Sequence, residues 1–272
     1  MLKTRILTSL VLIPGFFAAL FILPDIYWPV LILGISLIAL YEWGMMAKLS
    51  TLALIGYVFT SLVLGGAILY LANTYGNHWL VYRSLDMFVI ASVFWVLVVP
   101  FLLFKGIHVK NPWMLALIGW LVVLPLWMAL VSLKMVSPWL LLGLTATVWI
   151  ADSAAYFSGK QFGKHKLAPS ISPGKTWEGV LGALVAVSLY GMLVSFYFAL
   201  PLVPTLLILW IVAVLSVMGD LFESMMKRQA NIKDSGNILP GHGGILDRID
   251  GLTSSLPVAV LLIFIYSISQ AV

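Results

Sequence analysis

Long apolar runs separated by short polar or proline-containing breaks dominate this sequence. Hydrophobic residues make up 62% of the 272 positions and charged residues only 9%, against roughly 45–50% and about 25% in soluble domains. This composition excludes a water-soluble globule. A bilayer-spanning helix needs about 20 mainly apolar residues. We therefore expect an all-α polytopic membrane protein with about nine spans, at residues 6–23, 27–47, 51–72, 85–104, 113–133, 138–158, 176–199, 203–226 and 252–270.

The lysine and arginine residues predict the orientation of these spans. Basic residues favour the cytoplasmic side of a membrane. With the N-terminus in the cytoplasm, all 15 of them except Arg83 and Lys134 fall on the inner side. One missed span would invert every later loop, so the asymmetry favours nine spans, a cytoplasmic N-terminus and a C-terminus on the outer side.

The loops are too short to form a separate soluble domain of typical size. We expect a single transmembrane domain over residues 1–272. Residues 1–135 are predicted to form a lipid-facing or oligomerisation scaffold, and residues 136–272 to hold the catalytic spans and cytoplasmic loops. The chain has no cysteine, which excludes disulfides, thiolate metal sites and a cysteine nucleophile.

Five carboxylates lie in or beside predicted spans, toward the cytoplasmic ends of the helices. They are Glu42, Asp152, Glu178, Asp220 and Glu223. A charged side chain at the bilayer centre costs about 2.5–3.5 kcal/mol on insertion scales, so such groups need partners or water. A shared polar cavity at one depth explains the group. For Glu42 alone, a helix-end carboxylate that reaches interfacial water is an equally good explanation.

The segment from position 220 to position 250 is the densest in charge. Asp220, Ser224 and Lys227 are spaced to share one helical face, and so are Asp247 and Asp250 if that part is helical. Mg²⁺ prefers oxygen ligands and commonly takes one or two carboxylates together with phosphate oxygens and water. The predicted metal ligands are Asp220 and Asp247, with Asp250 and Glu223 next in line.

The same segment interleaves cations with glycines, which let backbone N–H groups approach an anion. The predicted phosphate-binding side chains are Lys227, Arg228, Lys233, His242 and Arg248. The alternative is that these cations face anionic lipid headgroups and the glycines only make turns.

A second polar loop, from position 152 to position 179, carries Lys160, Lys164, Lys166 and Lys175. Clustered lysines suit a polyanion such as a nucleoside triphosphate, although lysines that only reach toward the interface explain them too. A Walker phosphate loop is excluded, because the glycine that this motif needs is replaced by Pro169.

At these residues the sequence resembles the phosphatidate cytidylyltransferase family, also called CDP-diacylglycerol synthases. Every fixed position of the family signature is matched, namely Ser224, Lys227, Arg228, Lys233, Asp234, Gly236, Leu239, Pro240, His242, Gly243, Gly244, Asp247, Arg248 and Asp250. The upstream resemblance covers Asp152, the stretch FGKHKLAP at positions 162–169, Ser172, Pro173 and positions 175–179.

The resemblance implies that CTP and phosphatidate give CDP-diacylglycerol and diphosphate with Mg²⁺ required, at a site that faces the cytoplasm in a bacterial-type inner membrane. The implied catalytic residues are Asp220, Lys227, Arg228, Lys233, Asp234, His242, Asp247, Arg248 and Asp250. The implied substrate-binding residues are Asp152, Tyr156, Lys166, Ser172, Lys175, Thr176, Glu178, Ser224, Gly243 and Gly244. No nucleic-acid partner is expected; a second metal or monovalent cation and a homodimer are left open.

Two other functions compete with this hypothesis. The CDP-alcohol phosphotransferases are also intramembrane, metal-dependent enzymes, but their aspartate signature, which begins with Asp-Gly followed by Ala-Arg, is missing here. A transporter or anion channel would place ionisable groups near mid-bilayer and on both sides, whereas the predicted spans gather them at one face.

Overall fold

The computed structural model describes the backbone of residues 2–271 and the side chains of residues 7–76 and 84–270. The helices in chain order are α1 (Leu2–Phe21), α2 (Trp28–Met46), α3 (Thr51–Tyr75), α4 (Asn77–Val93), α5 (Val99–Lys105), α6 (Pro112–Val136), α7 (Pro138–Phe162), α8 (Trp177–Tyr197), α9 (Leu202–Ala230) and α10 (Leu246–Ala271). A π turn, Phe94–Val98, joins α4 directly to α5.

Short polar side chains fix the starts of several helices by accepting the first unpaired N–H groups. Asn111 accepts hydrogen bonds from the N–H groups of Trp113 and Met114, and Pro112 occupies the first position of α6, where its missing N–H costs nothing. The caps of α3, α7 and α8 are Ser50, Ser137 and Thr176.

Each of the nine predicted spans coincides with one helix or with the continuous α4–α5 rod. Among the described residues, eight of these helices are long and apolar enough to cross a bilayer, and Leu7–Phe21 of α1 is a shorter apolar helix. The start of the last span was predicted wrongly. It was placed at residue 252, but α10 begins at Leu246 and therefore includes Asp247 and Asp250.

The expectation of an all-α chain is wrong in one detail. Between α7 and α8 lies a small antiparallel hairpin of β1 (Lys166–Ala168) and β2 (Ser172–Thr176). Its register pairs Lys166 with Thr176 and Ala168 with Ser172. The hairpin brings the lysine-containing loop back to the start of α8.

Contacts between helix ends agree with the predicted alternation of loops. At one end of the bundle, Lys134 Nζ lies 3.2 Å from Asp25 Oδ1 and donates to the Leu23 carbonyl at 2.9 Å. At the other end, Thr8 Oγ1 donates to the Pro240 carbonyl at 3.0 Å. The side chains of Lys3, Arg5 and Arg83, which also entered the orientation prediction, lie outside the described residues.

The two predicted halves of the chain share one core. A buried cluster contains Trp28, Leu126 and Trp127 from the first half together with Leu141 and Leu256 from the second. The last helix, α10, packs against α9 and also against α4 and α6. Helices of the first half therefore support the elements that carry the signature residues.

Candidate active site

The crossing of α9 and α10 positions two of the predicted metal ligands. At Gly219, a Cβ atom would overlap the Asp250 carbonyl oxygen and lie 2.5 Å from Ser254 Oγ. Only glycine permits this close approach. It places Asp220, the next residue on α9, near enough to Asp250 for the two carboxylates to interact electrostatically.

The hairpin reaches the same place through Lys175. Lys175 Nζ lies 2.7 Å from Asp220 Oδ2 and donates to the Val217 carbonyl at 3.3 Å. Ser224 Oγ donates to Asp220 Oδ1 at 3.1 Å, as their spacing on one helix face predicts. Asp152 on α7 interacts electrostatically with Lys175 and Asp220. The structure thus joins the two polar segments that the sequence analysis singled out.

Lys227 was expected to bind phosphate, but its ammonium group is already paired with two carboxylates. Its Nζ lies 2.6 Å from Asp247 Oδ1 and 3.0 Å from Glu223 Oε1, and all three side chains are largely buried. The contact with Glu223 lacks hydrogen-bond geometry. Both oxygens of this carboxylate, which is 3% exposed, therefore have no hydrogen-bond donor among the residues that the structure describes. Lys227 therefore supplies one buried positive charge that the two acids share.

Asp247 organises the loop that precedes α10. Its Oδ2 accepts hydrogen bonds from the Ser235 N–H at 2.9 Å, from Ser235 Oγ at 3.0 Å and from the Gly244 N–H at 2.9 Å. Gly243 has a φ of +82°, and a Cβ there would lie 2.6 Å from the same oxygen. Glycine at 243 is thus required by both backbone conformation and space.

A magnesium site in this region would rest on few protein ligands. Among the residues that the structure describes, no group of three or more His, Asp or Glu side chains is arranged to hold a metal ion. Mg²⁺ often binds through one or two carboxylates plus phosphate oxygens and water, and the Asp220–Asp250 pair fits that mode. Asp250 Oδ1 accepts the Gly251 N–H at 2.8 Å. Asp247 fits less well because Lys227, Ser235 and Gly244 already occupy its oxygens.

Several predicted cations lie on the exposed side of the loop. Lys233, Asp234 and Arg248 are exposed, and so is Arg228, whose Nη1 donates to the Ile232 carbonyl at 3.3 Å. Arg248 Nε donates to the His242 carbonyl at 3.0 Å. Lys233, Arg228 and Arg248 can reach an anion in solvent at low cost, unlike Lys227, whereas the exposed carboxylate of Asp234 repels an anion.

His242 meets the first helix. Its Nε2 lies 3.4 Å from Ser9 Oγ on α1, and its Nδ1 is buried with no hydrogen-bond partner within the described part of the chain. The imidazole therefore links α1 to the signature loop, a contact that the sequence analysis missed because the two residues are 233 positions apart.

The remaining predicted substrate-binding residues lie around the hairpin. Thr176 is buried and its Oγ1 accepts the Gly179 N–H at 3.1 Å, so it caps α8. Glu178 accepts hydrogen bonds from the His165 N–H and lies 2.6 Å from His165 Nδ1. Tyr156 is exposed, with Lys160 Nζ 5.9 Å from its ring centroid. Lys166 and Ser172 occupy the paired strands.

The expectation of one cavity shared by five acids is corrected for two of them. Glu178 pairs with His165 at the base of the hairpin. Glu42 is 2% exposed and accepts the backbone N–H groups of Ile245 and Leu246, so it does not reach interfacial water. Of the other three, Asp152 and Asp220 lie within electrostatic range of each other, and Glu223 is buried beside Lys227. Asp250, which was not among the five, lies within electrostatic range of Asp152 and Asp220.

Comparison with known proteins agrees with the matched signature. The sequence profile of the cytidylyltransferase family matches residues 3–266. The chain belongs to the cytidylyltransferase family. A phosphatidate cytidylyltransferase of Pseudomonas aeruginosa is 39% identical over 273 residues, which cover 97% of each chain. One from Haemophilus influenzae is 35% identical over 280 residues, covering 94% of this chain and 96% of the relative.

A shorter match has a higher identity. A phosphatidate cytidylyltransferase of Bacillus subtilis is 46% identical over 123 residues, covering 44% of this chain and 45% of the relative. Membership of the cytidylyltransferase family, together with relatives named as nucleotidyltransferases, identifies the chain as an enzyme of this class. In the described part of the chain, eight helices are long and apolar enough to cross a bilayer, which indicates an integral membrane member of the family.

Proposed function

We propose that this protein transfers the cytidylyl group of CTP to phosphatidate, giving CDP-diacylglycerol and diphosphate for phospholipid synthesis. Two full-length relatives carry the name phosphatidate cytidylyltransferase. The observation that carries the proposal is the ion pair between Lys175 and Asp220. It unites a lysine-containing hairpin, suited to a soluble polyanion, with an acidic pair at the ends of two apolar helices, where a lipid phosphate can reach.

The proposed topology has nine spans, a cytoplasmic N-terminus and an outer C-terminus, in a bacterial inner membrane. Basic residues gather on one side under this topology, as cytoplasmic loops require. The pairings of Lys134 with Asp25 and of Thr8 with Pro240 support it, because each joins loops or helix ends assigned to the same side. The site then faces the cytoplasm, which is the source of CTP.

The proposed reaction is an in-line displacement at the α-phosphorus of CTP. A phosphate oxygen of phosphatidate forms the new bond to this phosphorus while the bond to the β-phosphate bridging oxygen breaks, and diphosphate leaves with that electron pair. The lipid phosphate is itself the nucleophile, so the protein supplies mainly positioning and neutralisation of charge.

The residues divide into three proposed roles. Asp220 and Asp250 would hold Mg²⁺, which when bound supplies Lewis-acid neutralisation of phosphate charge. Lys175 exchanges its contact with Asp220 for a phosphate of CTP, and the exposed Arg228, Lys233 and Arg248 bind further phosphate oxygens. Lys227 and Asp247 lie in the interior and stabilise the conformation of the loop that precedes α10.

Direct assay tests this proposal. Purified protein in detergent or vesicles is incubated with radiolabelled CTP, phosphatidate and Mg²⁺, and the label is measured in the organic phase. We expect lipid-soluble label that requires all three additions. If the folded protein transfers no label but moves anions across a vesicle membrane, the enzyme proposal is rejected in favour of the transporter alternative.

A further inference from the structure

Glu42 is a buried carboxylate in the half of the chain that contributes no signature residue. It lies near the end of α2 and is 2% exposed. Its Oε1 accepts the Ile245 N–H at 3.0 Å and its Oε2 accepts the Leu246 N–H at 2.8 Å. The first N–H groups of a helix have no partner within that helix. Glu42 therefore caps α10 from a distant part of the sequence.

The same carboxylate holds the loop before α10. Ser235 Oγ lies 3.1 Å from Glu42 Oε2 and 3.0 Å from Asp247 Oδ2, so the hydroxyl bridges the two acids and donates its single proton to one of them at a time. A Cβ at Gly244 would come within 2.5 Å of both Glu42 carboxylate oxygens. The loop is folded closely around Glu42.

Among the described residues, the three donors to Glu42 are neutral groups, namely two backbone amides and one hydroxyl. A buried charge is costly unless it is compensated. The N-terminus of α10 carries a partial positive charge from its aligned peptide dipoles, which favours an anion at this place. The negative charge of Glu42 is thus matched to the position at which α10 begins.

We propose that Glu42 is a positioning residue for nucleotidyl transfer. By fixing the first turn of α10 and, through Ser235, the side chain of Asp247, it sets where Asp250 stands opposite Asp220. Its contacts are with Ser235 and with backbone amides, so it acts through these groups. This inference rests on the proposed function. A small displacement of reacting groups can lower a rate by about 100-fold.

The decisive variant is Glu42→Gln in the full chain. Glutamine has the same shape but turns one acceptor oxygen into an N–H₂ donor, which opposes an N–H or hydroxyl donor of the loop. We expect kcat to fall by up to about 100-fold with KM for CTP little changed. We also expect faster hydrogen–deuterium exchange in peptides that cover residues 235–246. Glu42→Asp keeps both acceptors and should recover part of kcat.

Asn111→Ala is the matched control, because it removes a helix cap of two amide contacts at the start of α6. It should lower thermal stability while leaving kcat and exchange in residues 235–246 unchanged. A Glu42→Gln enzyme with the wild-type kcat, or an equal loss of kcat in Asn111→Ala, would overturn the proposal.

A further variant covers the case in which Glu42→Gln does not fold. Ser235→Ala removes only the hydroxyl bridge, and we expect a lower kcat with faster exchange at Gly244; wild-type values of both would reject the positioning role. Failure of the proposed function is distinguishable, because the wild-type protein would then make no lipid-soluble product. The exchange comparison would still test the role of Glu42 at the start of α10.

Discussion

Lys175 and Asp220 form an ion pair, with 2.7 Å between Nζ and Oδ2, that joins the β hairpin to α9. Neither residue is fully buried, since their side chains are 21% and 36% exposed. An ion pair that solvent can reach is weak and readily exchanged. This pair can therefore open when a substrate phosphate competes for the lysine and a cation competes for the carboxylate.

Replacement of Asp220 by asparagine should abolish cytidylyl transfer while the protein still folds. Asparagine keeps the shape but removes the charge needed to hold a divalent cation. The measurement is label transfer from CTP to lipid at saturating Mg²⁺. Asp25→Asn is the control, since Asp25 also pairs with a lysine but lies at the opposite end of the bundle, and it should retain activity. Near-normal transfer by Asp220→Asn would remove this residue from the metal site.

Replacement of Lys175 by methionine should weaken CTP binding more than it slows the chemical step. A hydrogen bond to a charged group contributes about 1.5–3 kcal/mol, so we expect KM for CTP to rise roughly 10- to 150-fold. Lys105→Met, at the end of α5, should leave KM unchanged. Initial-rate measurements over a range of CTP concentrations check this, and an unchanged KM in Lys175→Met contradicts it.

Replacement of Lys227 by methionine should destabilise the protein severely. The change leaves Glu223 and Asp247, with side chains 4% and 6% exposed, without their shared cation. Removing one partner of a buried pair costs about 3–5 kcal/mol. Lys134→Met is the matched control, because Lys134 is also largely buried but its partner Asp25 is 82% exposed and can be hydrated. Thermal unfolding in detergent should show a much larger loss for Lys227→Met; equal losses would contradict the argument.

Replacement of Gly219 by alanine should separate α9 from α10 and reduce activity. The new methyl group would overlap the Asp250 carbonyl oxygen and Ser254 Oγ, so the Asp220–Asp250 pair would move apart. Gly56→Ala in α3 is the control, since a Cβ there meets nothing within 4 Å and alanine favours a helix by about 1 kcal/mol. We expect stability to fall in the first variant and not in the second. An active, stable Gly219→Ala enzyme would argue against the close crossing.

Replacement of Gly243 by alanine should disturb the signature loop beyond the effect of backbone strain. Gly106 has a similarly positive φ of +60°, but a Cβ there has open space, whereas at Gly243 it would press on Asp247 Oδ2. Gly106→Ala therefore measures the strain alone, about 1–2 kcal/mol. Gly243→Ala should lose more stability and also lose activity, and equal effects in the two variants would show that contact with Asp247 does not matter.

The apolar pattern was sufficient to predict the helices, because each span must be long and apolar to cross a bilayer. It misplaced the start of α10, where Asp247, Arg248 and Asp250 resemble loop residues by hydropathy. At this start, Glu42 accepts the N–H groups of Ile245 and Leu246, which supports the first turn of the helix. Hydropathy does not register such a cap, since it depends on a contact between distant parts of the chain.

The sequence predicted those contacts of the candidate site that depend on local helix geometry, but not those that depend on distant parts of the chain. Spacing along one helix correctly placed Ser224 beside Asp220, because neighbours on a helix face are fixed by local geometry. Spacing could not distinguish an exposed cation from a buried one. Lys227 and Arg228 are adjacent in sequence, yet the first lies between two carboxylates and the second faces solvent. The short hairpin was missed because its Gly- and Pro-containing strands lack an apolar alternation.

The cap that Glu42 provides has a consequence for biosynthesis. Glu42 and Leu246 are 204 residues apart, so the ribosome makes the carboxylate long before it makes the amides to which the carboxylate binds. The nascent chain cannot complete its reaction centre until the last helix has left the translocon and docked against the second. A polypeptide that lacks α10 should therefore be catalytically inactive, however many helices it has already inserted into the membrane.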